Sequence, residues 1–74
     1  MDKQHLRVEV HGHDVMIAMR GTCFRLIYRK QEAPWLVLHE QGPDDPEATI
    51  TLTEFRALAW EAANEKATEL GWIA

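Results

Sequence analysis

Apolar and polar residues alternate at the start of the chain, where Leu6, Val8 and Val10 share one parity. This period of two predicts a half-buried β-strand. Gly12 follows as the first central residue of a two-residue turn, which suits a type II′ hairpin. Such a hairpin places every apolar partner on one face of the sheet. The predicted pairs are Val10 with Val15, Val8 with Ile17, and Leu6 with Met19.

The stretch RGTCFRLIYRK, residues 20–30, continues the alternation into a third strand. If Gly21 takes a positive φ in a second tight turn, the pairs are Met19–Thr22, Ile17–Phe24 and Val15–Leu26. The core-facing set is then Thr22, Phe24, Leu26 and Tyr28, and the outward set is Cys23, Arg25, Ile27 and Arg29. A second assignment also fits the pattern, with Gly21 as a bulge in one long bent strand.

A fourth strand is predicted at residues 35–38, WLVL, which are apolar on both faces. Residues 31–34 form the loop before it. Residues 42–46, GPDDP, cannot continue the strand because their two prolines lack backbone donors. We expect an exposed connection there.

The second half of the chain has the signature of one helix. Thr51 and Glu54 form a capping box, and Ile50 and Phe55 are placed for a hydrophobic staple. Gly71 suits the position just after the helix, so the helix is expected over about Leu52–Leu70. One apolar stripe is predicted from the 100° period: Leu52, Phe55, Ala59, Ala62, Ala63 and Leu70.

These elements predict an α+β fold: an antiparallel meander of three or four strands with one C-terminal helix packed on one face. A single domain is expected over residues 1–74, with the sheet at about 5–41, a loop at 42–50 and the helix at about 52–70. The helix leaves the other face of the sheet without a cover from this chain. That face is predicted to carry Met16, Ala18, Cys23, Ile27 and either Leu36 or Leu38.

Composition places the chain among ordinary globular domains, with 46% apolar and 27% charged residues in 74. The one cysteine, Cys23, excludes an internal disulfide and suggests a reducing compartment. No apolar signal region begins the chain, and no apolar run reaches the roughly 20 residues of a membrane span. These features predict a cytoplasmic protein.

Charge is unevenly distributed along the chain, whose net value is −4. Residues 1–30 hold six Lys/Arg and three Asp/Glu, a balance of +3, while residues 31–74 hold two and nine, a balance of −7. The acidic total argues against phosphate binding as the main task, although a local basic surface remains compatible with it.

Candidate chemistry is sparse. His11 and His13 flank the first turn near Asp14, but His5, on the same face as His11, would lie about 20 Å away along the strand, so we interpret all three as exposed histidines. Cys23 would face Ala18 with no histidine beside it, and a small buried thiol is the expectation. We therefore predict no catalytic residues, no cofactor and no metal, and a protein that is not an enzyme.

Association is the function that the pattern favours, because the uncovered sheet face mixes apolar side chains with arginine. We predict a non-catalytic protein-interaction module that forms a homodimer or binds another protein. The residues predicted at this contact are Met16, Ala18, Ile27, Leu36, Leu38 and Trp60. A monomer with a half-solvated sheet fits the sequence equally well.

The alternative function is weak nucleic-acid binding by Arg7, Arg25 and Arg29, which share the outward face. Single-strand binders combine such charge with exposed aromatic platforms, but Tyr28 is expected to point inward, and only Trp35 is placed to serve. Glu40 opposite Arg25 would form a cross-strand ion pair. Whether the arginines contact anything beyond the protein's own carboxylates stays open.

Two segments, RGTCFRLIYRK at residues 20–30 and ITLTEFRALAWEAANEKATELGWI at residues 50–73, resemble an uncharacterised family of short bacterial hypothetical proteins. The resemblance covers about half of the chain. It implies a bacterial origin, and it assigns no functional residues, since that family has no known activity to transfer.

Overall fold

Four antiparallel strands and one helix make up the fold in the computed structural model, which describes residues 6–31 and 36–72 of the 74. The strands are β1 (Leu6–His11), β2 (Asp14–Met19), β3 (Arg25–Lys30) and β4 (Leu36–Gln41), and the helix is α1 (Leu52–Glu69). The strands lie side by side in chain order, and α1 packs on one face, chiefly over β2. The predicted α+β meander is confirmed.

The first hairpin has the predicted register. Val10 pairs with Val15, Val8 with Ile17, and Leu6 with Met19. Gly12 has a φ of +61° at the first central position of the turn, and His13 at the second has a negative φ, which is the sign pattern of a type II′ turn. Turn chemistry and hydrophobic alternation specify the same pairing here, so the sequence alone was sufficient.

The register between β2 and β3 differs from the prediction by two residues. Ile17 pairs with Leu26 and not with Phe24, and Val15 pairs with Tyr28 and not with Leu26. A shift of two leaves each side chain on its predicted face. Phe24, Leu26 and Tyr28 are accordingly buried, so the core prediction survives the wrong pairing.

The shift arises in residues 20–24, which form a wider connection than a two-residue turn. Gly21 has a φ of +80°, and the Thr22 amide donates to the Met19 carbonyl at 3.2 Å, so Gly21 lies in a turn and not in a bulge. The Thr22 hydroxyl donates to the same carbonyl at 2.9 Å and accepts from the Phe24 amide at 3.2 Å. These bonds replace the ladder bonds at Thr22 and Phe24, and pairing begins only at Arg25.

Cys23 is exposed, so the prediction of a buried thiol opposite Ala18 is wrong. Its backbone amide donates to the Asp45 carboxylate at 3.0 Å, which ties residues 20–24 to the connection between β4 and α1. Arg25 is the residue that faces Ala18.

The predicted location of β4 side chains also needs correction. Leu36 pairs with Lys30 and Leu38 with Tyr28, so both leucines point to the helix side. A bulge opposite the Ile27–Tyr28 step leaves His39 as an extra residue and brings Glu40 opposite Ile27. Leu36 is consequently a core residue with 5% exposure, and Val37 takes the outward position that either leucine was expected to hold.

The core lies between the helix side of the sheet and α1. Ile17, Leu26, Phe24 and Phe55 are at most 1% exposed, and the two phenylalanine rings stack with centroids 5.0 Å apart. Small residues on α1 allow the helix to lie close to the strands. The buried alanines of the helix are Ala59, Ala62, Ala63 and Ala67.

Both ends of α1 have the expected caps. The Glu54 amide donates to the Thr51 hydroxyl at 3.1 Å, and the Thr51 amide donates to the Glu54 carboxylate at 3.0 Å. At the other end, Gly71 has a φ of +77°, its amide donates to the Thr68 carbonyl, and the Trp72 amide donates to the Ala67 carbonyl at 2.8 Å. This is a Schellman motif.

Leu70 is the C-cap of α1, and the structure places its side chain outside the core with 40% exposure. Its predicted membership of the buried stripe is therefore wrong, and Ala67 takes that position. The buried stripe of α1 therefore ends at Ala67, because the chain turns away from the helix axis at Gly71. Trp72, which follows, packs against the core.

Replacement of Thr51 by alanine should lower the free energy of unfolding by about 1 kcal/mol, because the first turn loses the hydroxyl that accepts from the Glu54 amide. Urea denaturation measures the change. Thr53→Ala is the matched control, since Thr53 is exposed in the same helical turn, and it should change stability by at most a few tenths of a kcal/mol. Equal losses in the two variants would contradict a capping role for Thr51.

Candidate functional site

The sheet surface opposite α1, here called the outer face, is organised in three rows that cross the strands. The middle row has an apolar centre with carboxylates at its ends: Glu9, Met16, Ile27 and Glu40. On one side lies a row of Arg7, Ala18 and Arg25, and on the other a row of His11, Asp14, Arg29 and Val37. The register alone generates this arrangement, since opposed residues on paired strands share a face.

Each arginine of the outer face pairs with a carboxylate of the same face. Arg7 pairs with Glu9 along β1, Arg25 pairs with Glu40 at 3.2 Å, and Arg29 pairs with Asp14 at 2.9 Å. The expected Arg25–Glu40 pair is thus present. Three arginines and three carboxylates leave this face close to neutral, and the predicted set of Arg7, Arg25 and Arg29 does share one surface.

Arg29 holds Asp14 through two contacts, from Nε at 2.9 Å and from Nη2 at 3.3 Å. The hydrogen bond from Arg29 lowers the pKa of the Asp14 carboxyl below its usual value, and the same bond raises the pKa of the Arg29 guanidinium. Both groups therefore remain charged throughout the physiological pH range. Because the pair is exposed to solvent, it contributes little to stability and mainly fixes the direction of the Arg29 side chain.

The structure divides the predicted contact residues between two sides of the molecule. Met16, Ala18 and Ile27 are half-buried on the outer face. Leu38 and Trp60 lie on the helix side, and Leu36 is in the core. One flat surface cannot include both groups, so only the first three contribute to the outer face, where exposed Val37 joins them.

A groove lies between α1 and strands β3 and β4, and the sequence patterns did not predict it. Trp60 is 46% exposed, and its ring tilts against Tyr28 with centroids 5.5 Å apart. The groove has a volume of about 380 Å³ and is lined by Tyr28, Leu38, Thr53, Arg56, Ala57 and Trp60. Burial raises the pKa of the Tyr28 phenol. The position of Trp60 beside the helix stripe was the signal that could have indicated this groove.

The turn histidines make contacts within the fold. His11 lies 3.1 Å from the Glu9 carboxylate, and the His13 ring meets the edge of Trp72 with centroids 6.4 Å apart. His5 and Trp35 are outside the described residues. Within residues 6–31 and 36–72, no three His, Cys, Asp or Glu side chains come together in a way that could hold a metal ion.

Trp72 is engaged by the protein itself. Its ring packs on the core and lies under the Lys30 ammonium, with Nζ 5.7 Å from the ring centroid. Lys30 therefore points to the helix side and does not extend the arginine rows. Of the two tryptophans within the described residues, Trp60 is the more exposed.

Comparison with known proteins adds no further constraint, since no protein-family model, curated protein or solved structure matches this chain. Over the part of the chain that the structure describes, no helix is long and apolar enough to cross a membrane.

Proposed function

We propose that this protein is a small non-catalytic interaction module whose outer face binds a second copy of the chain. The observation that carries the proposal is the composition of that face: an apolar centre of Met16, Ala18 and Ile27 between balanced charges. Interfaces favour apolar centres with charged rims. A nearly neutral face suits a partner that carries the same mixture of charges.

The rows of the outer face are complementary to themselves under a two-fold rotation. The two-fold axis lies parallel to the sheet and perpendicular to the strands, between the middle row and the arginine row that contains Ala18. It places Arg7 over Glu9 of the second copy and Ala18 over Met16. It also brings Arg25 over Ile27, next to Glu40 of that copy. Ala18 and Met16 then meet across the contact, and Arg7 and Arg25 each lie over or beside a carboxylate of the other copy, as an isologous contact requires.

The size of the face predicts a weak dimer. Four strands about 4.8 Å apart and about 20 Å long present roughly 400 Å², whereas stable complexes bury about 800 Å² per partner. We expect a dissociation constant in the micromolar range or above.

Replacement of Ile27 by glutamine tests the proposal, because it removes the apolar centre of both copies at once. The dimer dissociation constant, measured by sedimentation over a concentration series, should rise at least tenfold, which corresponds to about 1.4 kcal/mol. Leu70→Gln is the matched control, since Leu70 is 40% exposed but lies at the end of α1, and it should leave the constant within twofold.

A wild-type protein that stays monomeric into the millimolar range would overturn the proposal, as would equal effects of the two glutamine variants.

Nucleic-acid binding is the second candidate function, supported by the common face of Arg7, Arg25 and Arg29. A labelled single-stranded oligonucleotide that binds at low salt, and binds Ile27→Gln as well as wild type, would favour it over self-association. Self-association is the better supported of the two, because all three arginines are already paired with carboxylates of the same face.

A further inference from the structure

The two edges of the sheet differ in their ability to accept another strand. β4 carries a bulge at His39 and is followed by Gly42 and Pro43, which are features that block edge pairing. β1 pairs with β2 without interruption over all six residues, and it contains neither proline nor a bulge. β1 is therefore the edge that is open to strand addition.

The hydrogen bonds show which backbone groups of β1 face outward. The Lys30 amide donates to the His13 carbonyl at 2.8 Å, so the opposed residues Asp14 and Arg29 are a non-hydrogen-bonded pair. The backbone groups of Asp14 therefore point to β1, where Asp14 pairs with His11. By alternation, Arg7, Glu9 and His11 bond β2, and the amides and carbonyls of Leu6, Val8 and Val10 point away from the sheet.

The side chains of this edge are also incompletely covered. Val8 is 38% exposed and Val10 is 36% exposed, although both point to the helix side. A groove of about 270 Å³ lies beside Val8, lined by Leu6, Val8, Ala62, Glu65, Lys66 and Glu69. A neighbouring strand about 4.8 Å away would cover the two valines with its own inward side chains.

We propose that β1 pairs antiparallel with β1 of a second copy, with Val8 opposite Val8 on the two-fold axis, to give a continuous eight-stranded sheet. Only registers that oppose residues with outward backbone groups can form hydrogen bonds. With Val8 on the axis, Leu6 faces Val10 of the copy, and about six backbone hydrogen bonds form. In this register, all three residues whose backbone groups point away from the sheet edge, Leu6, Val8 and Val10, are paired.

Charge selects this register over its neighbours. It sets Arg7 opposite Glu9 of the copy on the outer face, twice, by symmetry. A shift of the copy by two residues in one direction opposes Arg7 with Arg7, and a shift in the other direction opposes Glu9 with Glu9. Like charges directly opposite destabilise strand pairs, so the charges of β1 are complementary to a second β1 in this register and not in the two beside it.

The edge contact is separate from the contact proposed for the outer face. Its two-fold axis is perpendicular to the sheet, and its valines point to the helix side, whereas Met16 and Ile27 point to the other side. Either contact can therefore exist without the other, and each has its own set of variants.

Single cysteines at the edge, each in a Cys23→Ser background, test the register. Val8→Cys should form a disulfide dimer under mild oxidation, because residues of a hydrogen-bonded antiparallel pair have Cα atoms about 5.5 Å apart, within disulfide range. Val10→Cys is the matched control, equally exposed on the same strand and face, but its two copies would lie about 14 Å apart. We expect at least a tenfold higher yield for Val8→Cys, and equal yields in denaturant.

Equal yields in the native state, or a higher yield for Val10→Cys, would overturn the proposed register. A monomeric Val8→Cys protein that resists crosslinking at all concentrations would overturn the edge contact itself. The double variant Ile27→Gln/Val8→Cys, again with Cys23→Ser, separates the two proposals. Because Ile27→Gln affects only the outer face, the crosslinking yield of the double variant should equal that of Val8→Cys alone.

Discussion

Replacement of Phe55 by alanine is expected to lower the free energy of unfolding by about 3–5 kcal/mol, which is the usual cost of a buried phenylalanine. A chain of this length has a total stability of roughly 4–11 kcal/mol, so the substitution should remove a large share of that stability, and all of it at the lower end of the range. Phe55 is fully buried and stacks on Phe24 at 5.0 Å. Phe55 lies in the first turns of α1 and shares the core with Ile50, so the loss affects both the start of the helix and its packing on the sheet.

Urea denaturation followed by far-ultraviolet circular dichroism measures this effect. Phe55→Leu is the matched control, since it removes the ring but keeps most of the volume, and it should cost markedly less than alanine. A loss below 1 kcal/mol for Phe55→Ala would mean that α1 is not packed on the sheet through this ring.

Replacement of Ala63 by leucine should have the second largest effect, a loss of about 1–3 kcal/mol. Ala63 is fully buried on the helix stripe, and the added side chain has no space unless α1 moves away from the sheet. Interiors are packed too closely to absorb three carbon atoms without such a shift. The result should appear as a lower urea midpoint.

Ala57→Leu provides the control for Ala63→Leu. Ala57 is exposed on the same helix, and alanine and leucine have similar helix propensities, so this variant should keep stability within about 0.5 kcal/mol. A neutral or stabilising Ala63→Leu would show that a cavity lies between α1 and β2.

The first hairpin could be predicted to the residue, and the helix to within one residue at its C-terminal end, because several local signals coincide there. Gly12 defines the turn, the valines define the face, and both specify the same register. For α1, the capping box at Thr51 and the glycine at Gly71 mark the two ends independently of the apolar stripe.

The register of β3 could not be predicted, because it depends on the wider turn at residues 20–24, which local bonds of Thr22 and one bond to a distant segment hold in place. Cys23 is outside the ladder since its amide donates to Asp45, 22 residues later, and no local pattern indicates that bond. The bulge at His39 likewise decides where Leu38 and Glu40 point. Alternation identifies a strand's two faces, but an extra residue exchanges them beyond the bulge.

The candidate site was predicted only in part for the same reason. Met16, Ala18 and Ile27 belong to strands whose faces the alternation defines, so their shared surface was foreseeable. Leu36 and Leu38 were misplaced because WLVL is apolar on both faces and has no polar marker. Ion pairing of Arg7 and Arg29 needs side-chain positions that the register alone does not supply.

The strands lie in the sheet in the same order as in the chain, and this arrangement has a consequence for the rate of folding. Each strand pairs with its successor in the sequence, so forming the sheet closes only short loops and loses little chain entropy at each step. Topologies with such local pairings cross their folding barriers faster than those with distant strand neighbours. Docking of α1 on β1 and β2 is the contact most distant along the chain, so we expect it to be the slowest step, with the segment between Gln41 and Leu52 as the tether.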